Sequence, residues 1–164
     1  MKVFYCDGWF RAKKCAPCRW DEATAMAAHS QRQPYTVLID SSTAPNCFIE
    51  VTNDSIGIGF LDGLLREYLS YEFQEERPRE LFLSRVVLRE FRERTDMVTK
   101  GTSYFFHRDG RVVIHRQDFV SDTLERAETR ADVSGNWEPY PEFGDYASLT
   151  RIERHGTFPI ARGD

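Results

Sequence analysis

Two Asp-Gly pairs, each set between stretches of alternating apolar residues, constrain this chain more than any other feature. Asp62-Gly63 separates Ile56-Gly-Ile-Gly-Phe-Leu61 from Leu64-Leu-Arg-Glu-Tyr-Leu69, and such a placement is the strongest short-range hairpin signal. With Asp62 and Gly63 as the two turn residues, Leu61 lies opposite Leu64 and Phe60 opposite Leu65. One face then collects Ile56, Ile58, Phe60, Leu65, Leu69, Tyr71 and Phe73. The other carries Gly57, Gly59, Arg66, Tyr68 and Ser70. That is the period-two pattern of a sheet packed on one side. Asp109-Gly110 joins residues 102–108 to 111–116 in the same way, pairing Phe106 with Val113 and Phe105 with Ile114. Both faces of this second hairpin are apolar, which predicts a central place in the sheet. Between the hairpins, residues 81–91 place Phe82, Val86 and Leu88 on one face and Arg85 and Arg89 on the other. The middle of the chain therefore reads as a meander of five longer strands.

Shorter strands are expected at residues 2–5, 35–39 and 47–51, where β-branched and aromatic residues concentrate between turn formers. Residues 20–29, rich in alanine, form the clearest helix, and Gln33-Pro34 ends it. A second, weak helix is expected over 121–131 with Ser121 as N-cap. From Asn136 to the last residue, prolines and glycines make 136–164 largely irregular, either wrapping the sheet or facing a partner. The 164 residues fit one domain, 1–164. The expected fold class is α+β: a mainly antiparallel β-meander with one or two helices packed on it.

Composition narrows the function classes. Aromatics at 13% speak against disorder. A net charge of −4 argues against direct nucleic-acid binding, which requires a basic surface to neutralise phosphates. No apolar run is long enough for a membrane helix and the first residues are no signal peptide, so a cytoplasmic protein is expected, away from the membrane. Charge is nevertheless segregated. Residues 1–20 carry Lys2, Arg11, Lys13, Lys14 and Arg19 against Asp7, whereas residues 120–150 carry seven acidic groups against Arg126 and Arg130. The two regions suit either each other or separate partners.

Cys15-Ala-Pro-Cys18, just before the first helix, is the sharpest chemical motif. A helix N-terminus stabilises a thiolate, and a two-residue spacer allows a second thiol to resolve a mixed disulfide. Thioredoxins carry a similar Cys-x-Pro-Cys, but there it closely follows a hydrophobic strand, with a tryptophan just before it. Here Lys13-Lys14 precede the motif. A thiol-redox protein using Cys15 and Cys18 stays an alternative to reduced cysteines in and near the core. A structural zinc site shows a second close ligand pair, which this chain lacks, so no metal is expected. His107 and His115 fall on opposite hairpin faces. Gly57-Ile-Gly59 has no third glycine and reads as space left for a neighbour, and no Gly-x-Ser-x-Gly is present. Neither a catalytic constellation nor a cofactor is expected.

Trp137-Glu-Pro-Tyr-Pro-Glu-Phe-Gly-Asp-Tyr146 alternates acidic and aromatic residues on a proline-stiffened segment. Glu138, Glu142 and Asp145 suit a basic partner, with Tyr140, Phe143 and Tyr146 as apolar anchors. The alternative is a loop that seals the sheet. The blocks Ile56-Gly-Ile-Gly-Phe-Leu-Asp-Gly63, Tyr68-Leu-Ser-Tyr-Glu-Phe73 and Tyr104-Phe-Phe-His-Arg-Asp-Gly-Arg-Val-Val-Ile114 resemble those of immunity proteins from bacterial polymorphic toxin systems, including contact-dependent growth inhibition. That resemblance implies stoichiometric occlusion of a cognate toxin domain, often a nuclease with a basic cleft. A small-ligand binder with a pocket between sheet and helix is the other alternative.

Overall fold

The computed structural model describes residues 1–154; His155 and the rest of the expected irregular C-terminus lie outside the described residues. A single antiparallel sheet runs in the order β10-β9-β8-β7-β6-β5-β4-β3-β1-β2. Its strands are β1 (Val3–Cys6), β2 (Arg19–Trp20), β3 (Tyr35–Ile39), β4 (Cys47–Val51), β5 (Ser55–Leu61), β6 (Glu67–Arg77), β7 (Glu80–Phe91), β8 (Val98–Phe106), β9 (Arg111–Asp118) and β10 (Thr123–Arg130). A last short strand, β11 (Trp137–Pro139), pairs with β7 where β8 has ended. In the gap between β8 and β11, the buried Asn136 amide donates to the Leu83 carbonyl at 2.9 Å. The fold is a sheet-dominated α+β arrangement with one helix, α1 (Glu22–Ser30), among the described residues.

Local chemistry explains α1. The Asp21 carboxylate caps it by accepting from the Thr24 amide at 2.7 Å. At the other end Gln33 N–H reaches Ala28 O and Arg32 N–H reaches His29 O, the paired bonds of a Schellman motif. Arg32 takes the left-handed position of that motif at φ 56°, where glycine is usual. Its guanidinium is held by Glu75 and lies 4.1 Å from the Tyr140 ring centre, which offsets the backbone cost.

Several expectations are corrected. Residues 121–131 are not helical: Thr123–Arg130 is an edge strand that pairs residue for residue with β9. The Asp62-Gly63 turn is longer than two residues, so Phe60 pairs with Leu69 and Leu61 with Glu67. The change in register is even, so Ile56, Ile58, Phe60, Leu69, Tyr71 and Phe73 still share a face, while Leu65 moves to the other side. At the second hairpin the slip is odd. Arg108 joins the loop ahead of Asp109 and Gly110, the glycine at φ 90°, and Phe106 faces Val112 rather than Val113. This hairpin also lies towards one end of the sheet, with only β10 beyond it among the described residues. A bulge opposite Glu72 and Phe73 sets Leu83, not Phe82, in line with Val86.

The face bearing Val37, Ile49, Ile58, Tyr71 and Phe73 holds the main core. Each fully buried side chain there contributes about 1.5–3 kcal/mol of transfer free energy. Ala25 and Ala28 of α1 cover one end of this face, and the segment after β10 covers the middle. Within that segment Glu138, 6% exposed, accepts from Arg151 and from Arg154. The Arg154 guanidinium lies 5.3 Å from the Tyr71 ring centre and 5.0 Å from that of Phe73, and it also donates to the Ser148 and Leu149 carbonyls.

Two measurements test this seal. Glu138→Ala leaves the buried Arg154 without its carboxylate, and equilibrium denaturation should show a loss of about 3–5 kcal/mol; a loss under about 1 kcal/mol would mean that the ion pair does not hold the segment. His29, whose Nδ1 lies 2.8 Å from the Tyr35 hydroxyl, has its pKa lowered from 6.5 by burial. The unfolded chain therefore takes up that proton first, and stability falls as pH drops through 6.5 towards the folded value. In His29→Gln this part of the stability profile should be flat. The carboxylates with lowered values, such as Glu75 and Asp62, act in a separate window, losing stability only below their ordinary values of 4.5 and 3.8.

Candidate functional site

Among the described residues, the opposite face of the sheet is covered at one end only, by the loop of residues 7–18. Trp9 stacks on Phe48 with ring centres 6.1 Å apart, and together with Cys6, Leu38 and Leu61 they form a second, smaller core. Beside this cap lies an open cleft of about 590 Å³ over β4 to β7. The pairing explains why it is there. Glu50, Gly57, Glu72 and Arg85 form one row across the four strands, and Phe48, Gly59, Ser70 and Val87 form the next. Side chains alternate along a strand, so the two glycines leave a trough along β5 between walls supplied by β4 and β6.

The walls are charged and paired. Arg11, from the covering loop, donates to both Glu50 oxygens at 3.0 and 2.9 Å and through Nε to Glu67 at 2.8 Å. Its guanidinium carbon sits 4.7 Å from the Phe48 ring centre. The hydrogen bonds that Arg11 donates to Glu50 first, and then to Glu67, hold its pKa above the ordinary value. Across the trough Arg85 pairs with Glu72 at 2.5 Å, and Arg89 reaches Ser70 at 3.3 Å. Lys14 closes the rim by bonding Asp96 at 2.7 Å and the Leu64 carbonyl at 2.9 Å. The basic head of the chain thus engages acids in its middle, at Glu50, Glu67 and Asp96. Such a site presents fixed guanidinium and carboxylate groups in matched pairs, suited to holding a polar partner surface.

The residues expected to bind a partner are differently placed. Glu138, Tyr140 and Tyr146 are buried and engaged inside the chain. Tyr146 shares a 3.1 Å hydrogen bond with Tyr35, whose hydroxyl is pushed up to about 12 by burial. Phe143 is half-buried and stacks on Tyr5 at 5.1 Å. Glu142 and Asp145 face solvent, with Glu142 bonded to Arg79 at 2.6 Å. The segment therefore seals the sheet, the second of the two roles open to it. The space between sheet and α1 is filled by Tyr5, Ala25, Ala28 and Tyr35, so the cleft lies on the other face from a sheet–helix pocket.

Cys15 is half-buried and bridges Phe10, while Cys18 is exposed; both are free thiols. β2 and Asp21 stand between Cys18 and α1, and Asp21 itself takes the Thr24 amide. The thiols accordingly do not sit at the helix N-terminus. Among the described residues, no three His, Cys, Asp or Glu side chains are placed to hold a metal ion, and no helix is long and apolar enough to cross a membrane. His107 contacts Arg111 and His115 packs on Phe105. Sequence reasoning missed Arg11, Glu50, Glu67, Arg85 and Arg89 as a group. The one available signal was the glycine pair on a single face of β5.

Gly59 carries the geometry of the cleft. A Cβ there would lie 2.2 Å from Phe48 Cζ, whereas at Gly57 the nearest atom is Glu50 Oε2 at 3.8 Å. Gly59→Ala should displace Phe48, loosening Trp9 and Arg11 with it, at a cost of about 1–3 kcal/mol. Gly57→Ala should stay within about 0.5 kcal/mol of wild type. Equal losses in chemical denaturation would show that Phe48 yields without strain.

No protein-family model matches this chain, and neither a curated protein nor a solved structure matches it.

Proposed function

We propose that the protein works by binding, and that the charged cleft over β4 to β7 is its docking surface. The observation that carries this reading is the cleft itself: about 590 Å³ of open space on the uncovered side of the sheet, walled by fixed Arg–Glu pairs. Paired charges held in place favour specific docking and a steered encounter with a partner of complementary charge. The proposed partner is a toxin domain, as the resemblance to immunity proteins implies, and the proposed mechanism is stoichiometric occlusion of its active site. Arg85 and Arg89 would meet carboxylates of the partner, while Glu50 and Glu72 would meet its basic groups.

Affinity capture from cells that also express the neighbouring genes identifies the partner, and two charge-reversed variants then locate the contact. R85E/R89E should weaken binding by about tenfold or more and reduce its salt dependence. E142R/D145R, at the exposed positions of the sealing segment, should bind like wild type. The reverse pattern would move the docking surface to that segment. Loss in neither variant, with both folded, would sink the reading.

A further inference from the structure

The free edge of β10 has the charge pattern of a self-complementary interface. All eight residues of this strand are exposed, and among the described residues only one of its edges is paired, with β9. Such an edge is a template for another strand. The opposite end of the sheet is β2, only two residues long, so head-to-tail growth from β10 onto β2 has almost nothing to pair with. A symmetric pair through β10 closes on itself.

Symmetry limits the registers. A two-fold axis perpendicular to the sheet relates antiparallel neighbours and keeps every side chain on its own face, so the axis must pass beside a residue rather than between two. Centring on Glu125 opposes that glutamate to its own copy. Centring on Arg126 opposes two arginines, and centring on Glu128 opposes two glutamates. Axes nearer either end leave at most three residues of the strand paired. Centring on Ala127 differs: Arg126 meets Glu128 of the partner subunit, Glu128 meets Arg126 of the partner subunit, and Glu125 meets Thr129 of the partner subunit. Leu124, 63% exposed in the single chain, then lies against the stem of Arg130 of the partner subunit. Phe119 and Val120, also exposed, adjoin the same end of the strand. Charges that commonly protect an edge here reject three registers and permit one.

We propose that two copies of this chain pair antiparallel through β10, centred on Ala127, to form a dimer with one continuous sheet. In each chain Arg126 already bonds Glu128 on its own strand at 3.2 Å, so both side chains are extended along the face on which the cross-subunit pairs form. Pairing adds a symmetric set of backbone hydrogen bonds, with four charged side chains placed in two opposite-sign pairs.

Sedimentation velocity of the full chain over a concentration series tests this, with circular dichroism melts to confirm folding. Wild type should show a monomer–dimer equilibrium. R126E sets two carboxylates against each other at both symmetric contacts with Glu128 of the partner subunit, and should raise the dimer dissociation constant by about tenfold or more. The swapped double variant R126E/E128R restores opposite charges and should recover the wild-type constant to within about threefold. A wild type that remains monomeric at every concentration overturns the proposal. So does a dimer indifferent to R126E, which would use another surface. A folded double variant that fails to recover overturns the Ala127-centred register.

Discussion

A carboxylate and a guanidinium buried under an apolar sheet hold this molecule closed. Eleven strands in one sheet among the described residues expose a large apolar face, and a nine-residue helix covers only one end of it. The remainder is covered by chain that lacks extended regular structure and so has few backbone ladder bonds to fix it. Glu138 and Arg154 supply that fixation. Each member has further partners: Glu138 also takes Arg151, while Arg154 donates to two carbonyls and lies against the rings of Tyr71 and Phe73. Removing one member of such a pair costs far more than replacing both, because the survivor is left charged and dry.

Sealing one face settles what the other can do. Tyr140 and Tyr146, the largest anchors of the C-terminal segment, are spent inside the fold. The cleft lies on the other face, and its shape comes from two absent side chains. Phe48 lies where a Gly59 side chain would be, and Trp9 and Arg11 pack against that ring. At Gly57 nothing fills the space, so Glu50 and Glu72 stand as walls with their arginine partners. The same alternation that builds the core on one side therefore builds a charged trough on the other.

Much of this fold was legible because alternation survives errors of register that are even. The Asp62 loop is longer than a two-residue turn, yet the apolar face of β5 and β6 comes out as expected apart from Leu65. Odd errors are different. Arg108 joins the loop that the left-handed Gly110 closes, and the bulge at Ser84 adds one strand residue; each changes which side chains share a face. Neither leaves a clear mark in composition. The cleft was less legible still, because Arg11 and Glu67 are 56 positions apart and only the folded topology brings them together.

The strand β10 shows where local preference yields to context. Leu124-Glu-Arg-Ala-Glu128 consists of good helix formers, and as an isolated peptide it has no reason to extend. Next to it, β9 offers an edge of unpaired amides and carbonyls along the run of Val112, Val113 and Ile114. Each residue that extends to pair with it satisfies a backbone group that would otherwise rely on water. Eight successive pairs form, enough to outweigh a propensity difference of a few tenths of a kcal/mol per residue. The helix formers also place Arg126 and Glu128, of opposite sign, on one face of the strand beside Arg130, so the override of propensity leaves a strand whose proposed pairing is selected by sign.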